Sequence, residues 1–368
     1  MPTCCYAYSH LVIDLFNVFI NKLKITNFRI LQEKEFNFTQ KINIFHGNNG
    51  TGKTSILEAI HYLSTGKSFR KCSFKSLINI KFKHLNVFVE LNKNNLINTV
   101  SINKSKNGLW KARFNNNAIT KQSQISNLIP VVSIDPEVYR LVDLGPINRR
   151  NFLDWLVFHV KHDYLNLWKK VQKCTKQLNS LYKGKANTQE IDLWEGSFIE
   201  FSEQLNKVRE VFYKEMQPII QSLTKHMQGD IDNLELDYYK GWSDSLTLKE
   251  QLIKDRKRNL LYGQLQHGPH KMDIKINVLN SPASQVLSRG QKKVLSLTFY
   301  MAYIQLLLNY EIKPIVCLDD LDAELDDNKL SKVSEFFIDS NLQLFITTVL
   351  IEKVKKIFPQ AQMFHVKH

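Results

Sequence analysis

The residues Gly47-Asn48-Asn49-Gly50-Thr51-Gly52-Lys53-Thr54 fill every fixed position of the pattern G-x-x-x-x-G-K-[ST], and nothing else constrains the fold as much. Average composition gives such a match by chance in roughly one chain in a hundred of this length. The glycines permit backbone angles that turn successive N–H groups toward one anion. A helix that follows adds its N-terminal amides and positive dipole end. The flanks agree with this reading. Lys41 to His46 alternates as a strand through Ile42 and Ile44, and Ser55 to Ser64 carries Ile56, Leu57, Ile60 and Leu63 at helical spacing. In such a loop Lys53 reaches the β and γ phosphates of a nucleoside triphosphate, and the Thr54 hydroxyl binds Mg²⁺.

A second apolar run, Ile315-Val316-Cys317-Leu318, ends in Asp319-Asp320. A buried strand in an α/β sheet presents such carboxylates at its carboxyl edge, where ligands bind. Asp319 is expected to hold Mg²⁺ through water, and Asp320 to orient or deprotonate the attacking water. Pro130 to Ile134 and Leu342 to Val349 read as further buried strands, Asp273 to Leu279 as an alternating one, and Val294 to Leu308 as an apolar helix.

Leu287-Ser288-Arg289-Gly290-Gln291 resembles the L-S-G-G-Q signature of ABC ATPases, with Arg at the third place. Alone it also reads as a helix cap with Ser288 as N-cap. The signature reading implies that Ser288, Arg289, Gly290 and Gln291 meet the γ-phosphate of ATP held by a second copy, so that nucleotide joins a symmetric dimer. Ala323-Glu324-Leu325-Asp326 resembles the D-loop of the same superfamily. Phe345-Ile346-Thr347-Thr348 places Thr where many ABC ATPases carry a histidine, and Asp320 replaces the commoner Glu. Both departures point to slow hydrolysis.

The middle of the chain has another rhythm. Val160, Tyr164, Leu167, Val171, Cys174, Leu178 and Leu181 recur at steps of four and three, a heptad seam. After a polar break at Lys183 to Thr188, Trp194, Phe198, Phe201, Leu205, Val208, Phe212 and Ile219 resume it. Two helices of similar length in an antiparallel hairpin are expected, an arm inserted in the α/β domain; an ordinary helical subdomain gives the same stripe. The expected architecture is therefore α/β, an ABC-type P-loop ATPase head with an inserted α-helical hairpin arm. Its expected parts are an extension over 1–20, head residues 21–147, an arm over 148–260, and head residues 261–368.

Composition narrows the partners. The 368 residues carry 50 Lys+Arg against 35 Asp+Glu, a net charge of +15. Residues 1–147 hold 19 basic and 8 acidic side chains, a net +11, whereas 229–368 hold 18 of each. A basic N-terminal lobe suggests a polyanionic partner, nucleic acid before membrane. The five cysteines form no CxxC pair and have no histidine at metal-ligand spacing, which predicts reduced cytosolic thiols. No run of eighteen apolar residues suggests a membrane span, and Leu11 to Ile20 lacks the flanks of a signal peptide. A cytoplasmic location is expected.

Taken together these motifs resemble the bacterial RecF family. Leu23 to Arg29, Gly66-Lys67-Ser68-Phe69-Arg70, Pro136-Glu137, Gly145-Pro146, Arg149-Arg150, Phe152-Leu153-Asp154 and Gly268-Pro269-His270-Lys271 follow that family's order. Leu144 departs from it, standing where Gly is usual. The resemblance implies an ATP-driven homodimer that binds double-stranded and gapped DNA and assists RecA loading with RecO and RecR. Candidate phosphate contacts are the basic lobe and Lys169, Lys170, Lys173 and Lys176, with strong salt dependence. Arg70 reads as a phosphate ligand or a helix cap, Arg149 and Arg150 as surface charge or as DNA or interdomain contacts, and His270 as a turn or packing histidine before a catalytic one. Rival readings are another SMC-like or nuclease-associated DNA ATPase, a transporter nucleotide-binding subunit, and a nucleotide clamp with negligible turnover.

Overall fold

Five strands form a wholly parallel sheet in the order Gln362–His365, Ile42–His46, Leu344–Thr348, Ile315–Leu318, Val131–Ile134. The structure is a computed structural model describing residues 18–70, 72–93, 96–184, 187–227, 231, 233–320 and 325–367. Successive side chains of a strand point to opposite faces, and here both faces are covered. Phe45, Phe345, Ile315, Cys317 and Val131 enter one apolar core; Ile44, Ile346, Val316, Leu318 and Val132 enter another. That double burial is why Ile315–Leu318 reads as an unbroken apolar run. Strands from both ends of the chain share this sheet, as expected of a head assembled around an insertion.

The first core lies between this sheet and a six-stranded antiparallel sheet, ordered Leu31–Asn37, Val18–Phe28, His84–Lys93, Leu96–Ser105, Trp110–Phe114, Asn117–Ile119. The helix Lys53–Thr65 is wedged between them, with ten of its 13 residues buried. A helix covered on both sides needs apolar residues nearly all round. Its one buried acid, Glu58, receives Arg29 through two hydrogen bonds of 2.9 and 2.8 Å. The expected boundary of the N-terminal extension moves: Val18 to Ile20 belong to the first strand. Val18 and Ile20 are buried, and the Ile20 backbone exchanges hydrogen bonds of 2.8 and 2.9 Å with the Gln343 side chain. Residues 1–17 lie outside the described residues.

The second core holds the helices. Tyr164–Lys183 and Thr188–Met227 pack along the heptad seam, with Val171, Cys174, Leu178, Phe198, Leu205 and Phe212 buried. They run antiparallel, because contacts that fall along one helix rise along the other: Tyr182 meets Glu195, Lys170 lies over Phe201, and Tyr164 meets Arg209. Their lengths are unequal, however, 20 and 40 residues. The longer helix runs past the hairpin and packs on the helix Arg289–Asn309, where Tyr310 bonds Glu215 and the Thr224 and Thr298 hydroxyls meet. The boundaries expected at 147/148 and 260/261 also cut the helices Pro146–Val160 and Leu248–Tyr262. A small sheet, Leu234–Tyr239 paired with Asp273–Val278, crosses the second boundary. Helical and α/β parts therefore share one core.

Two arginines tie these parts together. Arg209 is 2% exposed and grips Asp154 through bonds of 2.8 and 2.9 Å, while its third nitrogen donates to the Pro269 carbonyl at 2.9 Å. Tyr164 and Trp168 also donate to Asp154. Arg149 forms a fork with Asp273 at 2.7 and 2.9 Å and caps the carbonyls of Leu141 and Leu144; Arg150 donates to the Met272 carbonyl. Of the readings open to this pair, the interdomain one describes the structure. His270 is a packing residue. Burial pushes its imidazole down to about 4, and Nε2 meets the Leu265 carbonyl. Gly268 has φ 140, and a Cβ there would lie 2.7 Å from the Phe198 ring. Among the described residues no helix is long and apolar enough to cross a membrane.

Removing one partner of a buried ion pair strands the other charge. Asp154→Ala is therefore expected to cost about 3–5 kcal/mol of unfolding free energy, measured by urea titration, and a joint Asp154→Leu/Arg209→Met change to recover most of it.

Candidate nucleotide site

The strand Ile42–His46 delivers the chain into the glycine loop at the carboxyl edge of the parallel sheet. Gly47 adopts φ 148, and a Cβ on it would lie 2.5 Å from the Val366 carbonyl oxygen. Gly52, at φ 102, starts the helix Lys53–Thr65 from a left-handed turn that a side chain would crowd against Leu31. The Thr51 hydroxyl closes the loop by donating to the Asn48 carbonyl at 2.9 Å. The Lys53 ammonium, almost buried, donates to the carbonyls of Gly47 and Asn48 at 2.8 and 3.0 Å. Gly47, Asn48, Asn49, Gly50, Thr51, Gly52, Lys53 and Thr54 thus form the strand–loop–helix unit that the sequence predicts.

Asp319 follows the strand Ile315–Leu318, its amide bonded to the Ile134 carbonyl at 2.9 Å. Burial pushes its carboxyl up to about 6, against the lowering pull of a 2.7 Å hydrogen bond from Thr347. Nearby Asp320 adds to the rise, while the Thr54 hydroxyl, hydrogen-bonded to the same carboxyl, and the charge of Arg70 oppose it. A carboxylate and a threonine hydroxyl side by side are hard oxygen donors, a set that fits Mg²⁺. Asp320 takes a left-handed turn at φ 47, a conformation Asp tolerates, and its N–H donates to the Thr347 hydroxyl at 2.9 Å. Lys53, Thr54, Asp319 and Asp320, drawn from distant parts of the chain, are thereby gathered at one sheet edge.

Ser288 caps the helix Arg289–Asn309. Its hydroxyl accepts from the Gln291 N–H at 3.3 Å, and the Gln291 side chain accepts from the Ser288 N–H at 2.9 Å. Ser288, Arg289 and Gly290 are exposed, with Arg289 lying over the Tyr139 ring and open space around Gly290. The cap and the signature readings are compatible, because the terminus is exposed and the capping hydroxyl accepts a bond without using its own proton. Of the residues likened to a D-loop, Ala323 and Glu324 lie outside the described residues; Asp326 caps the helix Asp327–Asp339.

The sequence reading missed the part of Thr347, which it treated only as a departure from histidine. The strand register contained the signal. Leu318 pairs with Ile346, so the next residues, Asp319 and Thr347, stand side by side.

A glycine-cradled helix, acids at the end of the next strand but one, and a capped helix facing outward define the head of an ABC-type ATPase. The family model described as the RecF/RecN/SMC N terminal domain matches residues 19–368. The DNA replication and repair protein RecF of Coxiella burnetii (strain Dugway 5J108-111) is 33% identical over 355 residues, 95% of this chain and 98% of that protein. The protein of the same name from Pseudoalteromonas translucida (strain TAC 125) is 33% identical over 359 residues, with the same coverage. Among solved structures, the recombination mediator protein RecF–ATP superposes with a TM-score of 0.82 at 24% identity, covering 92% of this chain and 94% of that one. The Smc head domain of Pyrococcus furiosus gives 0.57 at 14% identity, covering 95% and 94%. The chain belongs to the RecF family of DNA replication and repair ATPases.

The raised carboxyl gives the metal-free protein a distinct pH response. An unfolded Asp titrates near 3.9 and the folded Asp319 near 6, so the native state holds the extra proton between them and stability falls as pH rises through that window. Asp319→Asn is expected to be more stable than the parent above pH 6, by about 3 kcal/mol. The advantage should vanish below pH 4 in urea titrations without Mg²⁺.

Proposed function

We propose that this chain binds ATP with Mg²⁺ in the Gly47–Thr54 loop, and that two copies close around two nucleotides. In this reading Lys53 neutralises the β and γ phosphates, Thr54 and Asp319 hold Mg²⁺, and Asp320 orients the attacking water or takes its proton. The ion, when bound, supplies charge stabilisation of the transferring phosphoryl group. Ser288, Arg289, Gly290 and Gln291 of each copy meet the γ-phosphate held by the other, so hydrolysis releases the dimer. Turnover is slow, since Asp320 is a short carboxylate and threonine replaces the usual histidine. The observation carrying the reading is the convergence of Lys53, Thr54, Asp319 and Asp320 in a chain whose Ser288 helix terminus faces solvent.

The dimer acts on double-stranded and gapped DNA in recombinational repair and replication, with RecO and RecR, to assist RecA loading. Two findings support this: the curated relatives are DNA replication and repair proteins, and a structural neighbour is described as a recombination mediator of the RecFOR pathway. Charge agrees. Lys169, Lys170, Lys173 and Lys176 are all exposed along one arm helix, with Lys170 propped over Phe201. Arg70 is exposed and its field reaches Asp319, which favours its phosphate reading.

Sizing the protein with ATP and with ADP, each with and without duplex DNA, tests this. The parent should dimerise only with ATP and bind duplex at low salt, and Lys53→Ala should stay monomeric. A parent that remains monomeric with ATP and ignores DNA refutes the reading. Ser288→Arg should keep ATP affinity yet lose the dimer in the same sizing run; undisturbed assembly would remove the trans contact.

A further inference from the structure

We infer that Thr347 is a positioning residue, whose single hydroxyl fixes the metal-ligand carboxylate of Asp319 and the aim of Asp320 together. The inference rests on the reading of Asp319 and Asp320 given above. Thr347 is the last residue but one of the strand Leu344–Thr348 and is fully buried, so its hydroxyl must find partners within the protein. It donates to Asp319 Oδ1 at 2.7 Å and accepts the Asp320 N–H at 2.9 Å, while Asp320 Oδ1 stands farther off at 3.5 Å. A hydroxyl has one proton to give, and the distances assign it to Asp319.

Two separate elements thus hold the Asp319 carboxyl, Thr54 from the phosphate-loop helix and Thr347 from the neighbouring strand. The same oxygen of Thr347 also holds the Asp320 amide. Asp320 sits in the left-handed region at φ 47, which Asp tolerates and which local hydrogen bonds help to hold. Its N–H bond to Thr347 is such a hold. Valine has the shape of threonine but neither donates nor accepts. At 347 it would remove one donor from the Asp319 carboxyl and the acceptor that the Asp320 amide now uses, and would loosen the turn that points the second carboxylate.

The test uses the full chain with Thr347→Val and Thr347→Ser. A fluorescent ATP analogue is titrated first in EDTA and then with increasing Mg²⁺, and steady-state hydrolysis is followed separately. The inference expects Thr347→Val to bind nucleotide in EDTA as the parent does. Its Mg²⁺ midpoint should rise by about ten- to a hundredfold, the range of a lost hydrogen bond to a charged group. At saturating Mg²⁺ its kcat should fall with KM unmoved. Thr347→Ser keeps the hydroxyl and should restore both readouts. An unchanged midpoint and kcat in Thr347→Val overturns the inference. So does a Thr347→Ser protein as impaired as the valine form, which would make the methyl group the important part; this outcome decides even where the valine variant fails to fold. A parent whose nucleotide binding ignores Mg²⁺ overturns the underlying site reading, a failure visible without any variant.

Discussion

Five parallel strands buried on both faces set the terms for everything else in this protein. Such a sheet leaves its backbone groups no solvent to fall back on, so the strands must be apolar throughout and paired to their ends. The polar side chains of the nucleotide site stand where the strands stop. The glycine loop leaves the strand Ile42–His46 there, Asp319 and Asp320 leave Ile315–Leu318, and Thr347 sits at the end of Leu344–Thr348. Chemistry gathers at that edge because packing forbids it elsewhere.

The same constraint decides which polar residues survive inside. Arg209, Asp154, Arg149 and Asp273 lie where helical and α/β parts meet, each fully engaged in forked hydrogen bonds. Forked arginine–carboxylate pairs impose geometry as well as attraction. They fix the angle between the arm's base and the head, which an apolar contact would leave looser. Residues shared with the RecF family as F-L-D, R-R and G-P-H-[RK] turn out to serve this joint.

Much of the architecture was legible in the sequence, because apolar runs, glycines and heptads are local signals. The phosphate loop, the acid-tipped strand, the capped Ser288 helix and the antiparallel seam were all readable from spacing. What escaped depended on contacts between distant residues. Arg209 falls on the seam of its helix, where a periodicity argument looks only for apolar residues. Thr347 looked like a missing histidine, since its meaning lies in the register with Asp319. The unequal helices were misjudged because the apolar seam was followed only to Ile219, whereas the helix runs on to Met227 and packs against the head. The extension was cut three residues too late because the Gln343 clamp on Ile20 lies 323 positions away.

Strand order has a consequence for how the chain is born. The six-stranded antiparallel sheet is complete by Ile119, built from hairpins except where Val18–Phe28 pairs with His84–Lys93 across the intervening phosphate loop and helix. In the parallel sheet, by contrast, Ile42–His46 and Val131–Ile134 emerge early yet never touch, since Leu344–Thr348 and Ile315–Leu318 stand between them. During synthesis two apolar edges must therefore wait unpaired while the helical segment and the helix Arg289–Asn309 are made. The parallel sheet that carries the nucleotide site is thus the part of the fold that can close last, because two of its inner strands come from the far side of the helical segment.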